Sequence, residues 1–175
     1  MIYSEYLEDD VAITTRKGDQ GMSSVDGHTP CRKDSKIVEA LGSLDELISV
    51  LGWFSLTVKP EYRNMITSWQ QILMRISHHL SGRVQLTDVT TLVSRIEDEI
   101  IALNPPPLRG FVIPGGDESS TRAHIARTVC RKAERRVLSA VGLSHVALPV
   151  LNRLSDALFA LACVLYSECT GESTE

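Results

Sequence analysis

Features typical of zinc-binding, membrane-spanning and nucleic-acid-binding proteins are absent from this sequence of 175 residues. Its four cysteines form no CxxC pair and have no histidines at metal-ligand spacing, which argues against a zinc site and indicates reduced thiols. No apolar run approaches the roughly 20 residues that a membrane-spanning helix needs. The formal net charge of −4 argues against general affinity for nucleic acid, although a local basic patch can still bind one small anion.

Targeting signals are also missing from the amino terminus. The first residues, MIYSEYLEDD, are acidic and contain neither an apolar signal core nor the Arg-rich composition of a transit peptide. We therefore expect a cytoplasmic protein. The length suits one domain with a substantial core. We expect a single domain over residues 1–175, made of an N-terminal loop (1–34), a helical bundle (35–168) and a tail (169–175).

Helical periodicity dominates the sequence after residue 34, and no series of strands is evident. Prolines at 105–107 end one helix, since proline lacks the amide donor and disfavours helical geometry in the residue before it. The sequence predicts an all-α fold, a five-helix bundle with a long N-terminal loop. The predicted helices run from Ser35 to about Thr57, Pro60 to about Leu80, Asp88 to Leu103, Ser119 or Ser120 to about Val141, and near Pro149 to about Glu168.

The first, fourth and fifth helices each carry an apolar stripe that we expect to face the core. The stripes are Ile37, Leu41, Leu44, Ile48 and Leu51; Ile125, Val129, Ala133, Val137 and Val141; and Leu151, Leu154, Leu158, Leu161 and Leu165. Asp45 falls in or beside the first stripe, where a carboxylate is costly without a cationic partner. We expect an arginine of the fourth helix to pair with it, from the same chain or from a neighbouring copy.

Three arginines, Arg127, Arg131 and Arg135, recur at every fourth position of the fourth helix, with Glu134 on the same side. Like charges at this spacing destabilise an isolated helix by about a few tenths of a kcal/mol per pair. The pattern indicates either a solvated cationic face or a binding site for an anion, and the repulsion favours the anion.

Polar residues of the fifth helix, Asn152, Arg153 and Asp156, lie opposite its leucines. An amide, a guanidinium and a carboxylate so placed can hold a ligand or another subunit. A plain surface trio is equally consistent with the spacing.

The segment TTRKGDQGMSS, residues 14–24, combines cations, glycines and hydroxyls. Glycines let backbone amides approach phosphate oxygens, hydroxyls donate to them and cations neutralise them. No GxxxxGK[ST] sequence occurs, so the segment is not a Walker loop. Its composition alone is equally consistent with a disordered tail rich in turn residues.

Three segments together resemble the PduO-type ATP:cob(I)alamin adenosyltransferases, which are trimeric helical-bundle enzymes. They are TTRKGDQGMSS, RTVCRKAERR (127–136) and LNRLSDALFALA (151–162), with weaker similarity in RKDSKIVEALGSLDEL and PPLRGFVIPGG. The similarity runs in the family's order from Ile13 to about Leu165.

This resemblance implies that the N-terminal loop is a ligand-binding loop around the triphosphate of ATP. The implied ATP-binding residues are Thr15, Arg16, Lys17, Gly18, Ser23, Ser24, Lys33, Arg131, Glu134, Arg135 and Asn152. Arg127 is expected to pair with Asp45 across a subunit boundary and to shape the cobalamin pocket, and Phe111 to face the lower side of the corrin. The residues implied in catalysis are Asp45, Arg127 and Arg131.

The implied reaction is attack of Co(I) on C5′ of ATP, which gives adenosylcobalamin and inorganic triphosphate. Because cobalt is the nucleophile, no Ser, Cys or His nucleophile is needed, and the protein must instead stabilise the departing triphosphate. Mg²⁺ is expected to bind the phosphates, without a protein metal site. The resemblance further implies a homotrimer with sites at subunit interfaces. A reductase and a B12-dependent mutase or dehydratase are the implied partners, with no nucleic-acid or membrane partner.

Three positions depart from the family pattern: Arg75 and Ser77 replace a frequent Asp and Gly, and Lys132 replaces a common Arg. None is an implied nucleotide residue, so activity is expected, while packing near the corrin is left open.

Two other functions fit the same residues. One is a non-catalytic trimeric carrier that binds ATP and cobalamin and delivers cofactor to a B12-dependent enzyme. The other is a helical interaction protein that uses the arginine face for an acidic partner.

Overall fold

A computed structural model describes residues 14, 16, 18–108, 110–143 and 145–171. These residues form five helices: α1 Lys36–Ser55, α2 Pro60–Leu80, α3 Val89–Leu103, α4 Glu118–Val141 and α5 Ala147–Thr170. The predicted all-α fold and its five helices are confirmed, with small differences at the helix ends.

A two-stranded antiparallel hairpin lies in the N-terminal segment, where the sequence predicted only a loop. Strand β1 is Met22–Ser24 and strand β2 is Pro30–Arg32. The carboxylate of Asp26 accepts hydrogen bonds from the backbone N–H groups of Thr29 and His28, at 2.7 and 2.8 Å, and so fixes the turn. These hydrogen bonds hold the pKa of Asp26 well below its usual range. Strands this short show no readable alternation of polar and apolar residues.

Helix α5 is the central element of the bundle. It packs against α3 and α4, while α1 packs against α4 and α2. All five leucines of its predicted stripe are buried, as expected. By length and composition alone α5 could cross a membrane, but most of it is buried inside the bundle, as in the core helix of a soluble protein.

The buried face of α4 differs from the predicted stripe. Ala133 and Val137 are buried as expected, but Ile125 is 39% exposed. The remaining buried apolar positions belong to small residues: Ala123, Ala126 and Cys130. Small side chains let α4 approach α1 and α5 closely, whereas a periodicity pattern is dominated by large aliphatic residues. The prediction was therefore wrong for Ile125, and Val129 and Val141 are only partly buried.

The buried face of α1 is likewise turned from the predicted stripe. Leu44 and Leu51 are buried as predicted, but Ile37, Leu41 and Ile48 are only partly buried. The other buried apolar residues of the helix are Ala40, Leu47 and Phe54. This rotation places Asp45 on the exposed side of α1. Of the two placements that the sequence allowed, in or beside the apolar stripe, the single chain shows Asp45 beside it.

Asp117, rather than Ser119 or Ser120, caps the start of α4. Its side chain accepts hydrogen bonds from the backbone N–H of Ser120 at 2.8 Å and from the hydroxyl of Ser119 at 2.7 Å. The Ser120 hydroxyl instead donates to the carbonyl of Ala162 at 3.0 Å. That bond ties the start of α4 to α5.

Candidate functional site

Two rows of cations lie side by side on α4, and only one of them is paired with carboxylates of the described residues. Lys132 forms an ion pair with Glu46 of α1, and Nε of Arg136 lies 3.2 Å from Oε1 of Glu39. We call the other row, Arg127, Arg131 and Arg135, the arginine stripe. Within the described ranges, no carboxylate lies within ion-pair distance of the arginine stripe. The stripe is therefore free to receive an anion.

The helical part of the predicted ATP site comes together where α4 meets α5. Nδ2 of Asn152 donates to Oε1 of Glu134 at 3.4 Å. Nη1 of Arg135 donates to the backbone carbonyl of Arg131 at 2.9 Å, which holds the exposed Arg135 side chain back along the helix toward Arg131. Four of the predicted nucleotide residues are thus linked in pairs at this end of the stripe.

Arg127 lies in a different setting from the other two arginines of the stripe. Its guanidinium is 5.6 Å from the ring centre of Phe159, and its Nε is buried without a hydrogen-bond partner among the residues that the structure describes. His124, one turn earlier, is buried against the same ring. Burial and, to a lesser extent, the nearby charge of Arg127 lower the pKa of His124. The half-buried guanidinium of Arg127 is therefore suited to an acceptor supplied by a ligand or by another chain.

The hairpin brings Gly18 and Lys33 together. A Cβ added to Gly18 would lie only 2.8 Å from Nζ of Lys33, so the lysine side chain crosses directly over the glycine. The backbone N–H of Lys33 donates to the carbonyl of Gly21 at 2.9 Å, which fixes the residue after β2 against the residue before β1. The ammonium group is thus held over the glycine-rich turn that the sequence assigned to phosphate.

Other predicted residues of the hairpin region are placed less tightly. Arg16 is exposed with a positive φ of 57°, Ser23 is partly buried and Ser24 is exposed. Thr15 and Lys17 lie outside the described residues. A joint phosphate site between the hairpin and the arginine stripe stays a prediction.

Phe111 is fully exposed in the loop that precedes α4, and we call residues 104–108 and 110–116 the apolar loop. Leu108 and Ile113 of this loop are also exposed. The loop is anchored at Gly116, where an added Cβ would lie 2.7 Å from the ring of Tyr166 on α5. Several exposed apolar side chains on an anchored loop mark a binding surface rather than a core element.

Asp45 and Arg127 are not paired within the described part of the chain. Asp45 is exposed on α1, and Arg127 contacts Phe159. A pair across a subunit boundary needs a second copy and stays a prediction.

The departures at 75 and 77 have local structural roles. Nη2 of Arg75 lies 2.6 Å from Oδ1 of Asp88, the residue before α3, and holds the pKa of that carboxyl below its usual value. The Ser77 hydroxyl donates to the carbonyl of Leu73 at 3.1 Å. Arg75 thus joins α2 to the start of α3.

Sequence reasoning did not identify the carboxylates of α1 that pair with one cation row and leave the other without such partners. Glu46 and Glu39, two turns apart on one face of α1, pair with Lys132 and Arg136, which are one turn apart on α4. That spacing was readable, but which two helices face each other was not. Phe159 and His124 were missed because an aromatic residue and a histidine in apolar helices look like ordinary core.

A helical bundle with a cationic stripe that has no carboxylate partner among the described residues, and with an exposed apolar loop, belongs to the class of proteins with one surface suited to an anion and another suited to an apolar ligand. The sequence signature of the cobalamin adenosyltransferase family matches residues 13–165. A corrinoid adenosyltransferase of Citrobacter freundii is 38% identical over 165 residues, which cover 86% of this chain and 92% of that protein. The corrinoid adenosyltransferase PduO of the same organism is 33% identical over 166 residues, and the matched region spans about half of its length, 49%.

Solved structures agree with this similarity. A variant of the PduO-type ATP:corrinoid adenosyltransferase from Lactobacillus reuteri, complexed with cobalamin and ATP, matches with a TM-score of 0.83 and 27% sequence identity. The match covers 90% of this chain and 95% of that chain. The chain therefore belongs to the cobalamin adenosyltransferase family, and the resemblance read from its sequence is confirmed. It is an enzyme of the transferase class.

Proposed function

We propose that the arginine stripe stabilises the leaving triphosphate while the chain transfers the 5′-deoxyadenosyl group of ATP to the cobalt of cob(I)alamin. The reaction follows from family membership. The electron pair of Co(I) forms the cobalt–carbon bond as the bond between C5′ and the triphosphate oxygen breaks, so negative charge collects on inorganic triphosphate. Arginines without carboxylate partners among the described residues are suited to receive that charge.

ATP is held between the arginine stripe and the hairpin. Arg131 and Arg135 bind phosphate oxygens, and Glu134 and Asn152 complete the nucleotide site where α4 meets α5. Lys33 adds a cation from the other side. The hairpin contributes the remaining contacts, from Thr15, Arg16, Lys17, Gly18, Ser23 and Ser24.

Mg²⁺ enters with ATP. It keeps several waters and usually binds through substrate phosphates together with one or two carboxylates. The described residues bring together no group of three His, Cys, Asp or Glu side chains around a common centre. In this account the phosphate oxygens hold the ion.

The corrinoid binds at the apolar loop, next to the leaving triphosphate. Phe111 covers the lower face of the corrin and keeps an axial ligand away from Co(II), which eases its reduction.

Arg127 pairs with Asp45 of a neighbouring copy, because each residue lacks such a partner in the described part of its own chain. The enzyme is a homotrimer, as the family resemblance implies, and this pairing lies at the subunit interfaces that hold the sites. A reductase supplies the electrons in the cytoplasm, and a B12-dependent mutase or dehydratase uses the product.

Turnover tests this function directly. The protein is mixed with MgATP and chemically reduced cobalamin, and the spectral change of cobalt–carbon bond formation is followed together with release of triphosphate. The expected result is one triphosphate per adenosylcobalamin, with neither product when the reductant is omitted. Binding of both substrates without either product would identify a carrier instead.

A further inference from the structure

Arg153 contacts three residues through three different nitrogens. Its Nη2 donates to Oδ1 of Asn152 at 2.7 Å. Its Nη1 lies 3.2 Å from Oδ2 of Asp156, and its Nε lies 4.0 Å from Oε1 of Glu97 on α3. A guanidinium group has a rigid planar fork, so contacts in three directions fix its position as well as its charge.

These contacts also determine which way the Asn152 amide points. Arginine can only donate hydrogen bonds, and an ionised carboxylate can only accept them. Asn152 lies between Arg153 and Glu134, so both hydrogen bonds form only when its oxygen faces Arg153 and its NH₂ group faces Glu134. Rotating the amide by 180° would break both hydrogen bonds, because the NH₂ group would then face the Arg153 donor and the oxygen would face the Glu134 carboxylate.

Because its oxygen accepts from Arg153, the NH₂ group of Asn152 is held on the opposite side, where it can donate. One N–H points to Glu134, and the second N–H is available for an acceptor atom of the nucleotide. The Glu134 carboxylate is held by the same amide and keeps its other oxygen for a donor of the nucleotide. The orientation of both side chains therefore depends on Arg153.

We propose that Arg153 is a positioning residue of the nucleotide site that acts through Asn152. Asp156 and Glu97 hold Arg153 from α5 and α3, Arg153 orients Asn152, and Asn152 orients Glu134. The proposal rests on the proposed function of Asn152 and Glu134 in binding ATP. It assigns a role in the site to the polar trio of α5, for which spacing alone gave no decision.

An ordinary ion pair between helices is the competing explanation, and Arg75 provides a matched control. The Arg75 side chain is 36% exposed, the same as that of Arg153, and it also pairs with a carboxylate of another element. Arg75 contacts none of the nucleotide residues in the described part of the chain. If Arg153 only joined helices, Arg153→Gln and Arg75→Gln would have the same effect on nucleotide binding.

A double-mutant cycle with direct binding tests the proposal. MgATP is titrated calorimetrically into the parent protein and into Arg153→Gln, Arg153→Lys, Asn152→Ala and the double variant Arg153→Gln/Asn152→Ala, with Arg75→Gln as control. Arg153→Gln should raise the Kd for MgATP about tenfold, as expected for loss of a charge-assisted hydrogen bond that orients the site. It should add nothing further in the Asn152→Ala background, because its partner is already gone.

The companion variants separate position from charge and folding. Arg153→Lys keeps the positive charge but not the rigid fork, and should also weaken MgATP binding, while Arg75→Gln should bind as the parent does. The KM for cobalamin should be unchanged in Arg153→Gln. Parent-like binding by Arg153→Gln, or an equal loss in both backgrounds, would overturn the positioning role. A parent protein that binds no MgATP would overturn the proposed function as well.

Discussion

The two cation rows of α4 are displaced from each other by one residue along the helix, and they differ in whether carboxylates lie within ion-pair distance. Lys132 and Arg136 point to α1, where Glu46 and Glu39 neutralise them. Arg131 and Arg135, one position earlier in each case, are exposed with no carboxylate within ion-pair distance in the described structure. The comparison teaches that charge on a helix is informative only together with its partners.

The paired row holds two helices together, and the unpaired row costs stability. Exposed ion pairs contribute only about 0–1 kcal/mol each. Stacked like charges are unfavourable by similar small amounts, so a stripe of three arginines is explained by a ligand rather than by folding. The following predictions test that difference, from the largest expected effect to the smallest.

Removing one arginine from the unpaired row should have the largest effect. Arg131→Ala should lower kcat/KM for ATP about 100-fold or more, because a preorganised cation that faces the leaving triphosphate is lost. The neighbouring variant Arg136→Ala breaks only the pair with Glu39 and should lower thermal stability slightly while nearly parental turnover remains. Steady-state kinetics and thermal melts measure both. Equal losses of activity in the two variants would contradict the distinction between the rows.

Phe111→Ala should separate corrin reduction from nucleotide binding. Phe111 is fully exposed, so its removal leaves no cavity and the melting temperature should stay the same. Turnover that starts from cob(II)alamin should fall at least about tenfold, because the lower face of the cobalt loses its apolar cover. The Kd for MgATP should not change. Ile113→Ala, which also truncates an exposed apolar side chain of the same loop, should have a smaller effect on turnover.

Gly18→Ala tests whether the hairpin lysine is aimed at phosphate. The new methyl group would meet Lys33 Nζ at 2.8 Å and must push the flexible side chain aside. The KM for ATP should rise about threefold, as expected for loss of a single exposed charge-assisted contact. In a Lys33→Met background the same substitution should change little. A Gly18→Ala effect that persists without the lysine would mean that the backbone of the turn, rather than Lys33, is what matters.

The smallest expected effect is on His124, beside the inner end of the arginine stripe. Burial, and secondarily the nearby charge of Arg127, lower the pKa of His124. Because the unfolded chain binds the proton more readily, this histidine removes stability as the pH falls through its ordinary value of about 6.5. Arg127→Gln should raise the His124 pKa part of the way back, measured by NMR titration. An unchanged pKa would mean that the charge of Arg127 is already neutralised.

Periodicity was sufficient to place the five helices, because each carries a long apolar pattern and most have clear ends. It failed where packing depends on neighbours. The small residues Ala126 and Cys130 of α4 face the core of the bundle while Ile125 is exposed. Close contact of α4 with two helices requires small side chains, and hydrophobicity alone does not predict them. Periodicity could not decide whether Asp45 lies in or beside the apolar stripe for the same reason, as the burial of α1 is set by its contacts with α2 and α4.

The candidate site was readable from the sequence as residue types, but not as an arrangement. Spacing alone grouped Arg127, Arg131 and Arg135, and the resemblance supplied their ligand. Neither could show that Lys132 and Arg136 are neutralised by α1 while the stripe is not, because that distinction depends on which helices face each other. The oxygen of Asn152 facing Arg153 is a tertiary feature of the same kind.

Calorimetric titration with inorganic triphosphate tests the central claim most directly, because this ligand has neither the adenosine nor the corrinoid. The parent protein, Arg131→Gln and Arg136→Gln are compared at the same ionic strength. We predict that the parent and Arg136→Gln bind triphosphate with the same affinity and that Arg131→Gln binds it at least about tenfold more weakly. Equal affinity in Arg131→Gln and Arg136→Gln would show that the unpaired row is not where the polyanion binds.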